Sequence, residues 1–256
     1  MQKQNPTRKI GAIVPSDGTI PYEIIDDRFM NKWLADRNFE NTEYISVRSL
    51  GGKDISAATE FESCERATAE DVLSPAARKL GNMGCGSVIW ACTSASFFKG
   101  LQHAKRQIQF LSESAQAPAS STAMAFLAAL AALGAKRVDI LSLYDSQTTK
   151  LLVTFLSEAG VSVGKIRNMY TQSGQGNDVD CGAELAEFAS LMPISDDPIL
   201  IPCTGINSLE HLESFEKISG RLVMTANQVT LWHALVLAGL ISSTADPRST
   251  LRLYAQ

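Results

Sequence analysis

Three features of the sequence predict an α/β protein made of two related halves, each built on a parallel sheet. Short apolar runs of strand length alternate with longer helical patterns, the rhythm of parallel strands joined by helical crossovers. Two segments then share one layout. SVIWACTSASFFKGL from Ser87 and PILIPCTGINSLEHL from Pro198 each carry an apolar run, a Cys-Thr pair, a small-residue turn and an amphipathic stretch. Their cysteines, Cys92 and Cys203, are 111 residues apart, close to half of the 256-residue chain. Finally, hydrophobic residues make up 45% and charged residues 20%, which is enough apolar material for a packed core.

The elements follow in order. Strands are expected in IGAIVP from Ile10, TEYISV from Thr42, SVIWAC from Ser87, RVDILSLY from Arg137, VSVGKI from Val161, PILIPC from Pro198 and RLVMTA from Arg221. Residues 120–134 read as a helix rich in alanine and leucine, opened by Ser120, Ser121 or Thr122 and closed by Gly134. A second helix is expected over about 230–239. The polar run TQSGQGND from Thr171 has no periodicity and is placed in a loop near a cleft mouth.

Composition excludes several classes. Net charge is −4 and lysines and arginines are scattered, so no basic stripe is available for nucleic acid. The longest apolar run, AMAFLAALAALGA from Ala123, is 13 residues, short of the roughly 20 that span a bilayer. The opening MQKQNPTRK carries basic residues but no apolar h-region of signal-peptide length follows it, so a secretory leader and a membrane partner are not expected, and the expected compartment is the cytoplasm. The five cysteines are odd in number and form no CxxC pair, and His103, His211 and His233 are widely separated. Dinucleotide and phosphate-loop glycine patterns and HExxH are absent. The expectation is therefore an enzyme with no cofactor and no metal, whose own side chains do the chemistry.

Free cysteines behave mostly as small buried hydrophobes, and Cys64, Cys85 and Cys181 are read so. Cys92 and Cys203 differ because each ends a strand where a helix is expected to begin. A helix N-terminus favours negative charge and raises the thiolate fraction. Nearby N–H groups, with the hydroxyls of Thr93, Ser94 and Thr204, provide donors for a substrate carboxylate. Two thiols facing each other across a cleft suit two reactions. One removes a proton on one face of a carbon α to a carboxylate and returns one on the other. The second adds a thiolate to a C=C bond, which rotates as a single bond before elimination.

With these residues in view, the sequence resembles the Asp/Glu racemase superfamily, in the branch of maleate cis-trans isomerases and arylmalonate decarboxylases. The resemblance runs through IGAIVPSDGT, ACTSASFFKG, PASSTAMAFLAALAALGAKRV, the strand ending at Tyr144, PCTG and NQVTLWHALVLAG, in that order and spacing. It implies two Rossmann-like (flavodoxin-like) lobes with parallel sheets, related by a pseudo-twofold axis, with the active site in the cleft between them. It also implies a discontinuous first lobe, 1–116 plus 225–256, and a second lobe over 117–224. By the same resemblance Cys92 matches the first-lobe cysteine of racemases and isomerases, which is glycine in the decarboxylases. Cys203 matches the second-lobe cysteine common to all. Thr93, Ser94 and Tyr144 match groups that hold the substrate carboxylate, Thr204 stands where the decarboxylase has glycine, Pro15 and Ser16 lie in the loop that lines the site, and Asn177 aligns with a substrate-binding Asn. One departure is Ser16-Asp17-Gly18-Thr19, where maleate isomerases carry Ser-Ser-Asn-Thr.

The activity expected is that of a cofactor-independent isomerase or racemase acting on a small carboxylate or dicarboxylate through both cysteines. An arylmalonate-type decarboxylase, in which Cys203 alone protonates the carbanion, is the second expectation. A non-catalytic two-lobed binder of small molecules is the third. Assembly as a homo-oligomer is compatible with the sequence, which does not fix it.

Overall fold

The computed structural model describes residues 8–15, 23–49, 60–169, 176–191 and 195–244. Among the described residues eight strands form two four-stranded sheets, all parallel. The first contains β1 (Arg8–Val14), β2 (Thr42–Arg48), β3 (Cys85–Trp90) and β4 (Ala119–Ser121), in the order β2-β1-β3-β4. The second contains β5 (Arg137–Ser142), β6 (Ser162–Asn168), β7 (Ile199–Ile201) and β8 (Val223–Thr225), in the order β6-β5-β7-β8. The two orders are the same: second strand, first, third, fourth. The echo seen in the sequence is thus a repeat of topology, and the expected two-lobed parallel α/β fold is present.

Helices make the crossovers: α1 (Asp27–Ala35), α2 (Glu60–Ala67), α3 (Glu70–Asn82), α4 (Thr93–Phe97), α5 (Gly100–Ala115), α6 (Thr122–Leu133), α7 (Ser146–Glu158), α8 (Cys181–Ser190), α9 (Leu212–Ser219) and α10 (Ala226–Leu237). None of the described helices is long and apolar enough to cross a membrane.

Apart from the edge strand β6, which stays partly open to solvent, the strands are largely buried, and side-chain alternation divides the core. Ile10, Ala12 and Val14 face a central cluster that also takes Ile140, Leu200 and Met224 from the second sheet, so the lobes share one apolar interior. On the outer face of the first sheet, Ile13, Val88 and Trp90 pack under α3. Leu141, Ile199 and Ile201 do the same on the outer face of the second sheet, under α8. The charge in β5 is accounted for here. Asp139, 1% exposed, pairs with Arg221 at 2.7 Å and accepts from the Lys165 amide at 2.6 Å. The pair lies toward the amino ends of β5 and β7, away from the cleft.

Several expectations change in detail. The segment 120–134 begins with an unforeseen strand, β4, because Ser120 and Ser121 pair with Ile89 and Trp90; the helix follows at Thr122 and ends at Gly134 in the left-handed conformation. The sheet assignment therefore moves. Residues 119–121, expected in the second lobe, complete the first sheet, and Thr225, expected in the first, ends β8 of the second. The last described helix starts earlier than the expected residue 230. Thr225 and Gln228 form a capping box that fixes its start at Ala226, and it runs from the second sheet to pack on α6 and β3.

Candidate active site

In an open parallel sheet, ligands bind where strand order reverses, beyond the carboxyl ends of the strands on either side. In the first sheet the reversal lies between β1 and β3, and in the second between β5 and β7. Pro15 follows β1, Cys92 stands two residues past β3, Tyr144 two past β5, and Cys203 two past β7. All four candidates thus leave the two sheets at their switch points, and the two cysteines occupy equivalent places.

The surroundings of the two thiols differ. Cys92, 4% exposed, is the N-cap of α4 with extended backbone (φ −144°, ψ 117°), as expected from the sequence. The run from Thr93 to Phe97 behind it is wholly buried. Ser96 Oγ donates to the Thr93 carbonyl at 2.9 Å and accepts from the Ala123 amide at 3.0 Å, which ties α4 to the start of α6. Cys203 is half-buried, and no helix begins there: residues 204–208 form a turn and coil, a 3-10 turn occupies Leu209–His211, and α9 starts only at Leu212. The expectation of a helix N-terminus at Cys203 is therefore corrected. Gly205 and the prolines flanking the strand favour a turn at this point, so the amides near Cys203 belong to a loop.

Tyr144 joins the two sides. Its ring meets Phe97 of α4 edge-on, with centroids 5.8 Å apart, and its hydroxyl donates to the carbonyl of Pro202, the residue before Cys203. The backbone behind it is fixed by Asp145, which caps α7 by accepting from the Thr148 amide at 2.7 Å. Thr93 lies at the first turn of α4, and its Oγ1, 1% exposed, has no hydrogen-bond partner among the described residues. Ser94 is equally buried, and Thr204 is half-buried in the turn after Cys203. Ser16 lies outside the described residues, and so does Asp17; Asn177 falls in the 3-10 turn Gly176–Asp178, with its side chain also outside them.

Several residues at this end of the fold escaped the sequence reading. Ser120 and Ser121 are buried at the end of β4, and their hydroxyls have no partner among the described residues. Thr122 meets Thr230 of α10 at 2.8 Å. Glu23, 5% exposed, and Asn227, wholly buried, lie behind the Cys203 loop. In the sequence Ser120, Ser121 and Thr122 read only as helix caps, and an isolated glutamate beside two isoleucines is the one signal for Glu23.

Two of the remaining thiols, Cys85 and Cys181, are chemically quiet. Burial pushes Cys85 up to about 11. Cys181 is pushed up to about 12, by burial first and then by neighbouring Cys203. A thiol so shifted carries almost no thiolate at neutral pH. Among the described residues no three His, Cys, Asp or Glu side chains converge as a metal site would require.

Fold and site together define a two-lobed parallel α/β protein with one cysteine at the switch point of each sheet. The chain belongs to the arylmalonate decarboxylase family, whose model matches residues 57–251. It is 26% identical over 166 residues to the arylmalonate decarboxylase of Bordetella bronchiseptica, covering 64% of this chain and 69% of that protein. Two solved structures share the fold. The maleate isomerase Iso of Pseudomonas putida S16 superposes with a TM-score of 0.77 at 20% identity, over 96% of this chain and 99% of its own. A cysteine-to-serine mutant of the Nocardia farcinica maleate cis-trans isomerase, with a covalently bound succinylcysteine intermediate, gives 0.74 at 19% identity, over 89% and 91%. The resemblance read from the motifs thus agrees with the family found by comparison, and the relative named here, an arylmalonate decarboxylase, is an enzyme.

Proposed function

We propose that this chain is a cofactor-independent isomerase that acts on a small carboxylate or dicarboxylate through Cys92 and Cys203. The observation that carries the proposal is the equivalent placement of two cysteines at the switch points of two sheets with the same strand order. A decarboxylation that protonates one face has no use for a thiol at both. In the proposed reaction, one thiolate adds to the C=C bond of a cis-dicarboxylate, forming a C–S bond, while the opposite thiol gives its proton to the neighbouring carbon. The resulting C–C single bond rotates. That carbon then returns its proton, the C–S bond breaks, and the trans isomer leaves with both thiols restored. The covalently bound succinylcysteine intermediate of the Nocardia farcinica maleate cis-trans isomerase mutant supports this route. Thr93, Ser94, Thr204 and Tyr144 are proposed as donors that hold a carboxylate as charge builds beside it. Pro15, Ser16 and Asn177 are proposed to line the site.

The family match and the 26% identity to a decarboxylase favour a second reading, release of carbon dioxide from an arylmalonate with Cys203 as proton donor. Incubation in deuterium oxide with maleate, and separately with phenylmalonate, decides between them. An isomerase converts maleate to fumarate and leaves phenylmalonate intact. A decarboxylase does the reverse, and its arylacetate carries deuterium at the α carbon. A protein that binds either compound and transforms neither is the two-lobed binder, and the catalytic proposal is then wrong.

A further inference from the structure

The loop that follows Cys203 is not held by its own lobe alone. Glu23, in a 3-10 turn of the first lobe (Glu23–Ile25), inserts its carboxylate behind it. Oε1 accepts from the Ser208 amide at 2.8 Å and from the Leu209 amide at 3.1 Å, and Oε2 accepts from the Leu209 amide at 3.1 Å. The Ser208 hydroxyl approaches Oε1 at 3.2 Å. Asn227, at the start of α10, donates to the same oxygen at 2.7 Å and to the Ile206 carbonyl at 2.8 Å. The Glu23 amide in turn donates to Asn207 Oδ1 at 2.8 Å, so the contact runs both ways. Beneath the turn, the Tyr44 hydroxyl donates to the Ile24 carbonyl at 2.6 Å and braces it against β2. On its other side the loop meets Gly176 so closely that a Cβ there would lie 2.7 Å from the Gly205 carbonyl oxygen.

A carboxylate 5% exposed is costly to bury, and burial does push the Glu23 carboxyl up, against the opposing pull of Ser208, Asn227 and Leu209. Such a group is tolerated where its donors are fixed, and here every one lies on the loop after Cys203 or on the helix that crosses between lobes.

We propose that Glu23 is a positioning residue: it latches the loop carrying Cys203 to the first lobe and sets where that thiol stands in the cleft. The proposal rests on the reading of Cys203 as the reactive residue of the second lobe, but its test does not require turnover.

The test is iodoacetamide labelling of the full chain in mildly alkaline buffer, with peptide mapping of all five cysteines. In Glu23→Ala the ratio of Cys203 to Cys92 labelling rises about fivefold or more, because the loop opens locally while α4 stays in place. Cys64, Cys85 and Cys181 keep their slow rates. Glu23→Gln retains an acceptor oxygen and returns the ratio to within about twofold of wild type. A rise shared by all five cysteines marks general loosening and overturns the proposal, as does an unchanged ratio in folded Glu23→Ala. Should that variant not fold, Asn227→Ala, which removes one donor, replaces it: a ratio raised twofold or more sustains the proposal, and an unchanged one overturns it. Cys203 without catalytic effect in turnover assays would refute the isomerase reading instead, and leave the labelling result to stand separately.

Discussion

Cys92 and Cys203 occupy equivalent points in two sheets of the same strand order, and the structure supports them in different ways. Cys92 begins a short buried helix whose hydroxyls bond within the first lobe and to α6. Cys203 opens a half-buried loop whose anchors are Glu23 from the opposite lobe, Asn227 from the crossing helix and Tyr144 from the neighbouring strand. Duplicated topology therefore places two thiols without giving them the same environment. Support crosses between the lobes at both cysteines, through the Ala123 amide and the Phe97–Tyr144 contact behind Cys92 and through the buried Glu23 carboxylate behind Cys203.

The largest effect expected is from Cys203→Ser. A serine hydroxyl is a far weaker acid and nucleophile, so kcat falls about a thousandfold or more in either the isomerase or the decarboxylase reading. Near wild-type turnover by a folded variant removes Cys203 from the chemistry. Cys92→Gly sharpens the comparison because the readings part there. Isomerisation of maleate falls by about a hundredfold or more, since one face loses its acid or nucleophile, while decarboxylation of phenylmalonate is retained or appears. Equal loss of both would mean that Cys92 serves the site as a whole.

A third expectation concerns the helix that joins the lobes. His233 on α10 stacks on Trp232, its Nδ1 has no partner among the described residues, and burial lowers it from 6.5 to about 4. Above about pH 6.5 the ring is neutral whether folded or unfolded, and contributes no slope. As pH falls toward 4, the unfolded chain takes up a proton that the folded ring refuses. Stability is lost across that window, by about 2 to 3 kcal/mol, and is flat below it. Urea melts across this range should show the loss in wild type and a smaller one in His233→Gln. The same slope in both would place the proton elsewhere.

The parts legible in the sequence were those carried by local patterning. Apolar strands, the Cys-Thr echo and the Gly134 stop are set within a few residues, and each is found in the fold. What escaped depends on distant partners. Ala119–Ser121 is a strand only because β3 lies beside it, and its own residues, small and hydroxylic, match a helix cap equally well. The start of α9 was misplaced because the amphipathic pattern of LEHLESF continues a loop rather than the strand end. Glu23 was illegible since its partners lie 184 to 204 residues away.

The smallest effect expected is from Tyr144→Phe, and it measures how far Cys203 relies on its neighbours. The hydroxyl donates to the Pro202 carbonyl, while the ring packs on Phe97 of the first lobe. Phenylalanine keeps the ring contact and removes only the donor, so the edge-on stack between lobes should survive. The loss is about 1.5 kcal/mol, roughly tenfold in kcat/KM. How that loss divides tells what the hydroxyl does. If it turns from Pro202 to a substrate carboxylate as charge develops, kcat falls and KM changes little, with the labelling rate of Cys203 unchanged. If it serves only to hold the carbonyl before Cys203, iodoacetamide labelling of Cys203 rises relative to Cys92 even without substrate. Kinetics and labelling both equal to wild type would reduce Tyr144 to a packing residue. The support of Cys203 would then fall to Glu23 and Asn227, and the contrast between the two lobes would rest on that latch.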